Sequence, residues 1–174
     1  MLSLKRYLVN MVVALLPPSR GFGLKRALWR FAGNTVGRGA NINGGAKVLG
    51  IGRVSVGDNS WLGMYLSVIV PGGAEVSIGA NVDIGPDVLL ECGSHDIGGS
   101  ERRAGTGGAR SIEIGSGTWI GCRATLLGGT RVGSGSVIAA GALVIAGEYP
   151  DNVLLAGVPA KVVYRLDENV KTAE

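Results

Sequence analysis

Aliphatic residues recur every six positions over most of this chain. Val36, Ile42 and Val48 are six apart, as are Val56, Leu62 and Val68, and then Ile78, Ile84 and Leu90. From Ile114 the register runs without a slip through Ile120, Leu126, Val132, Ile138 and Val144. Two positions before each of these last six stand Ile112, Thr118, Ala124, Thr130, Ser136 and Ala142, all small or β-branched. The segments IGANVD, IGSGTW, IGCRAT and VGSGSV therefore share the unit aliphatic–Gly–x–x–small–x. A strand alternates its side chains every two residues and a helix returns after about 3.6, so neither explains the spacing. A period of six predicts short strands with two inward side chains each, joined by tight turns in which glycine or asparagine takes a positive φ. Successive turns of such a chain pair strand on strand at about 4.8 Å and build a solenoid with a narrow interior.

Composition agrees with a narrow interior: 31 of 174 residues are glycine, only 5% are aromatic and 17% charged, and the mean hydropathy is +0.32. Such a chain is too apolar for disorder, and its 6 prolines and irregular glycines exclude collagen. Cys92 and Cys122 are too few for a disulfide framework. With His95 the lone histidine, a three-histidine zinc site cannot form within the chain, and no metal is expected. The charge is uneven. Residues 1–38 hold Lys5, Arg6, Arg20, Lys25, Arg26, Arg30 and Arg38 and no acid, whereas the remainder has 10 basic and 13 acidic residues. That body lacks the basic patch with interleaved aromatics that nucleic-acid binding requires, so no nucleic-acid partner is expected.

The apolar stretch LSLKRYLVNMVVALL, residues 2–16, predicts a helix that stops at Pro17-Pro18. Its uncharged run is too short for a transmembrane helix, which needs about 20 residues. A second basic amphipathic stretch, LKRALWRF, covers residues 24–31. Residues 1–33 thus read either as a helical cap on the solenoid's open end or as a segment lying on an anionic membrane surface. A cap needs the apolar faces but has no evident use for the charge, whereas anionic lipids do. The expectation is a cytoplasmic protein held peripherally at the inner face of the membrane. Residues 34–165 would form the solenoid and 166–174 a tail.

Three segments carry a family resemblance: IGANVDIGPDVLLECGSHDI, IEIGSGTWIGCRATLLGGTRVGSGSVIAAGALV and LLAGVPAKVVYRL. They resemble the hexapeptide-repeat acyltransferases, in particular the sugar O-acetyltransferases of the colanic-acid, maltose and galactoside types. The resemblance implies an all-β fold, a left-handed parallel β-helix with about eighteen residues per coil. It also implies acetyl-CoA as acyl donor and a sugar or lipid-linked glycan as acceptor, in cell-surface polysaccharide or glycolipid synthesis. The assembly it implies is a homotrimer with sites between neighbouring subunits.

The candidate chemistry centres on His95. Directly after it the register breaks for DIGGSERRAGTGGARS, residues 96–111. A long excursion from a compact solenoid is usually functional. A sugar hydroxyl must lose its proton while attacking a thioester, and imidazole, with an unperturbed pKa of about 6.5, suits that task. A chain with one histidine has no second base to activate a serine or cysteine nucleophile, so direct transfer is the simplest mechanism. His95 also matches the family's catalytic histidine. Its orienting partner stays open among Asp96, Asp83, Glu75 and Glu91, and Ser67 matches the family's acceptor-binding asparagine. Cys122 and Ala140, 18 residues apart, match the small residues along the pantetheine arm. Trp119, Lys161 and Arg165 complete the cofactor-binding candidates, while Ile145-Ala146 stands where the family carries threonine-lysine. The outward pairs Trp119–Val137 and Thr125–Leu143 predict burial against another copy. Two other classes compete: an acetyltransferase for an amino sugar, antibiotic or serine, and a non-catalytic scaffold. The chain lacks the long helical domain of the serine enzymes, and a scaffold has no need of a histidine at the mouth of an excursion.

Overall fold

The computed structural model describes residues 1–166, so all but the first residue of the expected tail lies outside the described residues. The hexads become strands of two to five residues on three faces. The first face stacks Thr35–Val36, Arg53–Val56, Glu75–Ile78, Ile112–Ile114, Thr130–Val132 and Gly147–Tyr149. The second stacks Asn41–Ile42, Trp61–Leu62, Asp83–Ile84, Trp119–Ile120, Val137–Ile138 and Val153–Gly157. The third stacks Lys47–Leu49, Ser67–Ile69, Leu89–Glu91, Thr125–Leu127 and Leu143–Val144. Pairing within each stack is parallel, and the chain closes with Ala160–Arg165 antiparallel to Val153–Gly157. The aliphatic at each sixth position points inward: Ile84, Leu90, Ile120, Leu126, Ile138 and Val144 are at most 1% exposed. The small second position tolerates a hydroxyl because the neighbouring coil supplies an acceptor. Ser60 Oγ donates to the Gly79 carbonyl at 2.8 Å and Thr118 Oγ1 to that of Gly133 at 3.2 Å.

The turns use glycine and asparagine as expected. Positive φ falls on the third residue after the aliphatic, at Gly39, Gly45, Asn59, Asn81, Gly117, Gly135 and Gly141 and also at Tyr65, Asp87 and Arg123, while the glycine directly after the aliphatic on the first two faces has another role. That glycine is required by the approach of the next coil. A Cβ on Gly85 would lie 2.7 Å from the Cys122 nitrogen, and one on Gly79 would lie 2.6 Å from that of Ser116. Ala139 breaks the pattern in the last full coil, after which the chain leaves the stack in its closing hairpin.

Coil length varies, and the surplus enters at the corner between the third and first faces. Asn41 pairs Trp61, Trp61 pairs Asp83, Asp83 pairs Trp119 and Trp119 pairs Val137, steps of 20, 22, 36 and 18 residues. The long step contains the excursion, which is an ordered antiparallel hairpin of Gly93–Ile97 with Ala104–Ala109.

Helices α1 (Leu2–Leu15) and α2 (Phe22–Phe31) pack across the first coil. An uncovered end strand leaves peptide groups without partners. Here the cations of the head supply donors. Arg6, 2% exposed, donates to the carbonyls of Gly50 and Gly52 at 2.8 Å each and to Asn34 Oδ1 at 3.0 Å. Arg26 reaches the Ala40 carbonyl at 2.8 Å and Arg30 the Val36 carbonyl at 2.6 Å. Lys25 Nζ donates to the carbonyls of Pro17 and Pro18 at 2.7 Å, tying α2 to the turn before it. Burial lowers the pKa of both Arg6 and Lys25. The head's positive charge therefore does have a use in a cap: it satisfies carbonyls that the repeat leaves bare.

Candidate active site

His95 lies on the first strand of the hairpin, opposite Gly107. The second strand, Ala104–Ala109, is nearly bare of side chains, and a Cβ on Gly107 would sit 3.4 Å from His95 Cε1. His95 Nδ1 is 3.0 Å from the Gly105 carbonyl oxygen. A carbonyl can only accept, so in the neutral ring Nδ1 carries the proton and Nε2 keeps its lone pair. The ring is exposed and faces a cavity of about 400 Å³, lined by Ser94, Asp96, Gly108, Ala109 and Arg110 as well as itself.

Among the described residues His95 Nδ1 meets a backbone carbonyl, and none of the four candidate carboxylates bonds the ring. Glu91 accepts the Gly93 N–H at 2.8 Å at the hairpin's root, and Glu75 pairs with Arg53 at 3.3 Å. Asp83 stands on the second face between Trp61 and Trp119. Asp96 lines the His95 cavity without bonding the ring. Ser67 sits on the third face between Lys47 and Leu89, with its hydroxyl donated to the Tyr65 carbonyl at 3.4 Å. It does not line the cavity.

A second concavity of about 480 Å³ follows the second face to its corner with the third, walled by Trp119, Cys122, Val137, Ala139, Ala140 and Leu154. The small side chains at this corner leave its backbone within reach of a ligand, and Trp119 is 58% exposed. Cys122 is exposed, whereas Cys92 is buried, its thiol pushed up to about 11 by desolvation and then by the Glu91 charge. Lys161 and Arg165 stand exposed on the closing strand, opposite Ala156 and Val153, beside the end of this trough at Leu154. The trough and the His95 cavity share no lining residue: within one chain His95 lines one concavity, and Trp119, Cys122 and Ala140 line the other.

Arg110 escaped sequence reasoning. A Cβ on Gly129 would meet the Ala146 Cβ at 3.1 Å and Arg110 Cζ at 3.4 Å, so the guanidinium lies over the corner that carries Ile145-Ala146. Only the stacking of coils brings residue 110 against 129 and 146; no sequence spacing signals it.

Residues 111–146 match the family of bacterial transferase hexapeptide (six repeats). Over these residues the chain carries the hexapeptide repeat of that family. This hexapeptide-repeat chain is similar to galactoside O-acetyltransferase of Escherichia coli, 32% identical over 119 residues, which are 68% of this chain and 57% of that protein. The chain therefore spans little more than half the length of that curated relative. Among solved structures it is similar to a hexapeptide-repeat acetyltransferase of Vibrio cholerae complexed with acetyl coenzyme A. The TM-score is 0.66 at 21% identity, over 96% of this chain and 88% of that one. A galactoside acetyltransferase in complex with coenzyme A gives 0.68 at 22% identity, over 96% and 82%. The fold is the stacked-coil solenoid that the repeat predicted, a parallel β-helix of the left-handed kind that the resemblance implied. No group of three potential metal ligands occurs among the described residues.

Proposed function

We propose that this chain transfers acetyl from acetyl-CoA to a hydroxyl of a sugar, with His95 as general base. The observation that carries this reading is the ring held at Nδ1 by the Gly105 carbonyl, with Nε2 unbonded beside an open cavity. The acceptor hydroxyl gives its proton to Nε2 as its oxygen bonds the acetyl carbon. The carbon–sulfur bond then breaks, and the departing thiolate recovers the proton from Nε2. The trough along Trp119, Cys122 and Ala140 would take the pantetheine arm, and Lys161 and Arg165 are the cations beside its end that would meet the phosphates.

Because base and trough belong to separate concavities within one chain, we place the working site between copies, with His95 of one subunit against the trough of the next. The outward rung of Trp119, Val137 and Leu154 supports a homotrimer. A lipid-linked glycan at the inner membrane face is the acceptor class this reading favours. The test is complementation. His95→Ala alone should lose transfer by about 10²–10⁴-fold. Cys122→Trp should fill the trough and also inactivate. Mixed and reassembled in equal amounts, the two variants should recover transfer at about a quarter of the sites, by random closure of a ring. No recovery from reassembled mixtures, or a His95→Ala variant retaining more than half of wild-type turnover, would overturn the proposal.

A further inference from the structure

Helix α1 shows two faces that the packing assigns without ambiguity. Arg6, Val9 and Val13 point to the solenoid and are at most 4% exposed. Leu4, Leu8, Met11, Val12 and Leu15, spaced as one helical stripe, point away from it and are 60, 51, 49, 43 and 86% exposed. Single exposed apolar residues are ordinary, but a continuous stripe along a whole helix marks an interaction surface. The charge of the N-terminal segment points to the partner. Arg6, Lys25, Arg26 and Arg30 are taken up by backbone carbonyls. The side chains of Lys5, Arg20 and Arg38 have no hydrogen bond or ion pair among the described residues, and residues 1–38 contain no acid.

We infer that the outward face of α1 docks on an anionic lipid surface, lying in the plane of the headgroups. Such a surface offers an apolar boundary for the stripe and phosphates for the cations, and an in-plane amphipathic helix sinks about 5–10 Å into it. A second copy of this chain is a poorer occupant. It would set two cationic segments, neither with an acid of its own, against each other. No helix among the described residues is long and apolar enough to cross a membrane, so α1 lies on the surface. The inference rests on the preceding reading only for its use, which is to bring a lipid-linked acceptor to the site. Binding is measured without turnover, so the two can fail separately.

Removing the helices is the wrong test, because it also uncaps the first coil. The decisive variant is Leu8→Ser/Met11→Ser/Leu15→Ser, whose side chains face away from the body. The full chain should co-sediment with phosphatidylcholine vesicles containing phosphatidylglycerol, and added salt should weaken this binding. The triple variant should lose binding by more than tenfold, with an unchanged melting temperature and unchanged turnover of a soluble acceptor. Each of Lys5→Gln, Arg20→Gln and Arg38→Gln should weaken binding by about fivefold. Absence of wild-type co-sedimentation, or binding unaltered by the triple change, would overturn the inference. So would a triple variant whose assembly mass falls in light scattering, since the face would then belong to a second copy.

Discussion

Arg6→Met tests whether the cationic head caps the solenoid. Methionine keeps much of the apolar stem and removes every donor, so packing changes little and the hydrogen bonds vanish. Arg6 donates to Gly50, Gly52 and Asn34 at 2.8, 2.8 and 3.0 Å, and to the Ala32 carbonyl at 3.4 Å, too long to add much. Three good bonds, each costing about 1–1.5 kcal/mol when the acceptor is left dry, place the loss at about 3–5 kcal/mol. For a chain of this size that is a fall of roughly 10 °C in melting temperature. Because a solenoid opens from its ends, the loss should concentrate in the first coil. Hydrogen exchange should accelerate for amides of residues 35–56 well before those of residues 112–144. Arg6→Lys should recover only part of the loss, since one ammonium cannot span carbonyls that a planar fork reaches together. A change below about 0.5 kcal/mol in Arg6→Met, or exchange that accelerates evenly along the solenoid, would refute the capping argument.

Glycine supplies a paired prediction. Gly85→Ala forces a Cβ to within 2.7 Å of the Cys122 nitrogen and should destabilise by about 1–3 kcal/mol, while Gly108→Ala meets nothing within 4 Å and should be near neutral, both read from urea midpoints. Equal effects would contradict the stacking account. The two thiols should separate as well: Cys122 reacts with Ellman's reagent in the native protein and Cys92 only after unfolding. The Cys92 thiol, raised from 9.0 to about 11 in the fold, gives stability that is full below pH 9 and lost as pH rises toward 11. Cys92→Ala should flatten that fall in urea midpoints across the same window, and an unchanged slope would speak against it.

Much of this protein was legible in its sequence because the repeat is local. A strict six-residue aliphatic register can be satisfied only by short stacked strands, so the core of Ile84, Leu90, Ile120 and Leu126 followed from spacing alone. His95 stood out as the lone histidine at the break in that register. The helices before Asn34 followed from their apolar runs and from Pro17-Pro18. Other features depend on which groups meet after the chain has coiled. The partner of His95 is the Gly105 carbonyl, and a carbonyl belongs to every residue and marks none. The glycine after many of the first- and second-face aliphatics is fixed by the neighbouring coil, through contacts such as Gly79 against Ser116. Arg110 reaches Gly129 and Ala146 only because the long coil returns to register beside them. The head's charge can be counted from the sequence. Its division between Arg6, Lys25, Arg26 and Arg30, which donate to carbonyls, and Lys5, Arg20 and Arg38, whose side chains have no hydrogen bond or ion pair among the described residues (the Lys5 ammonium lies 4.9 Å over the Phe31 ring), exists only once the helices lie across the first coil, since hydrogen bonding is settled by distance in space and not along the chain.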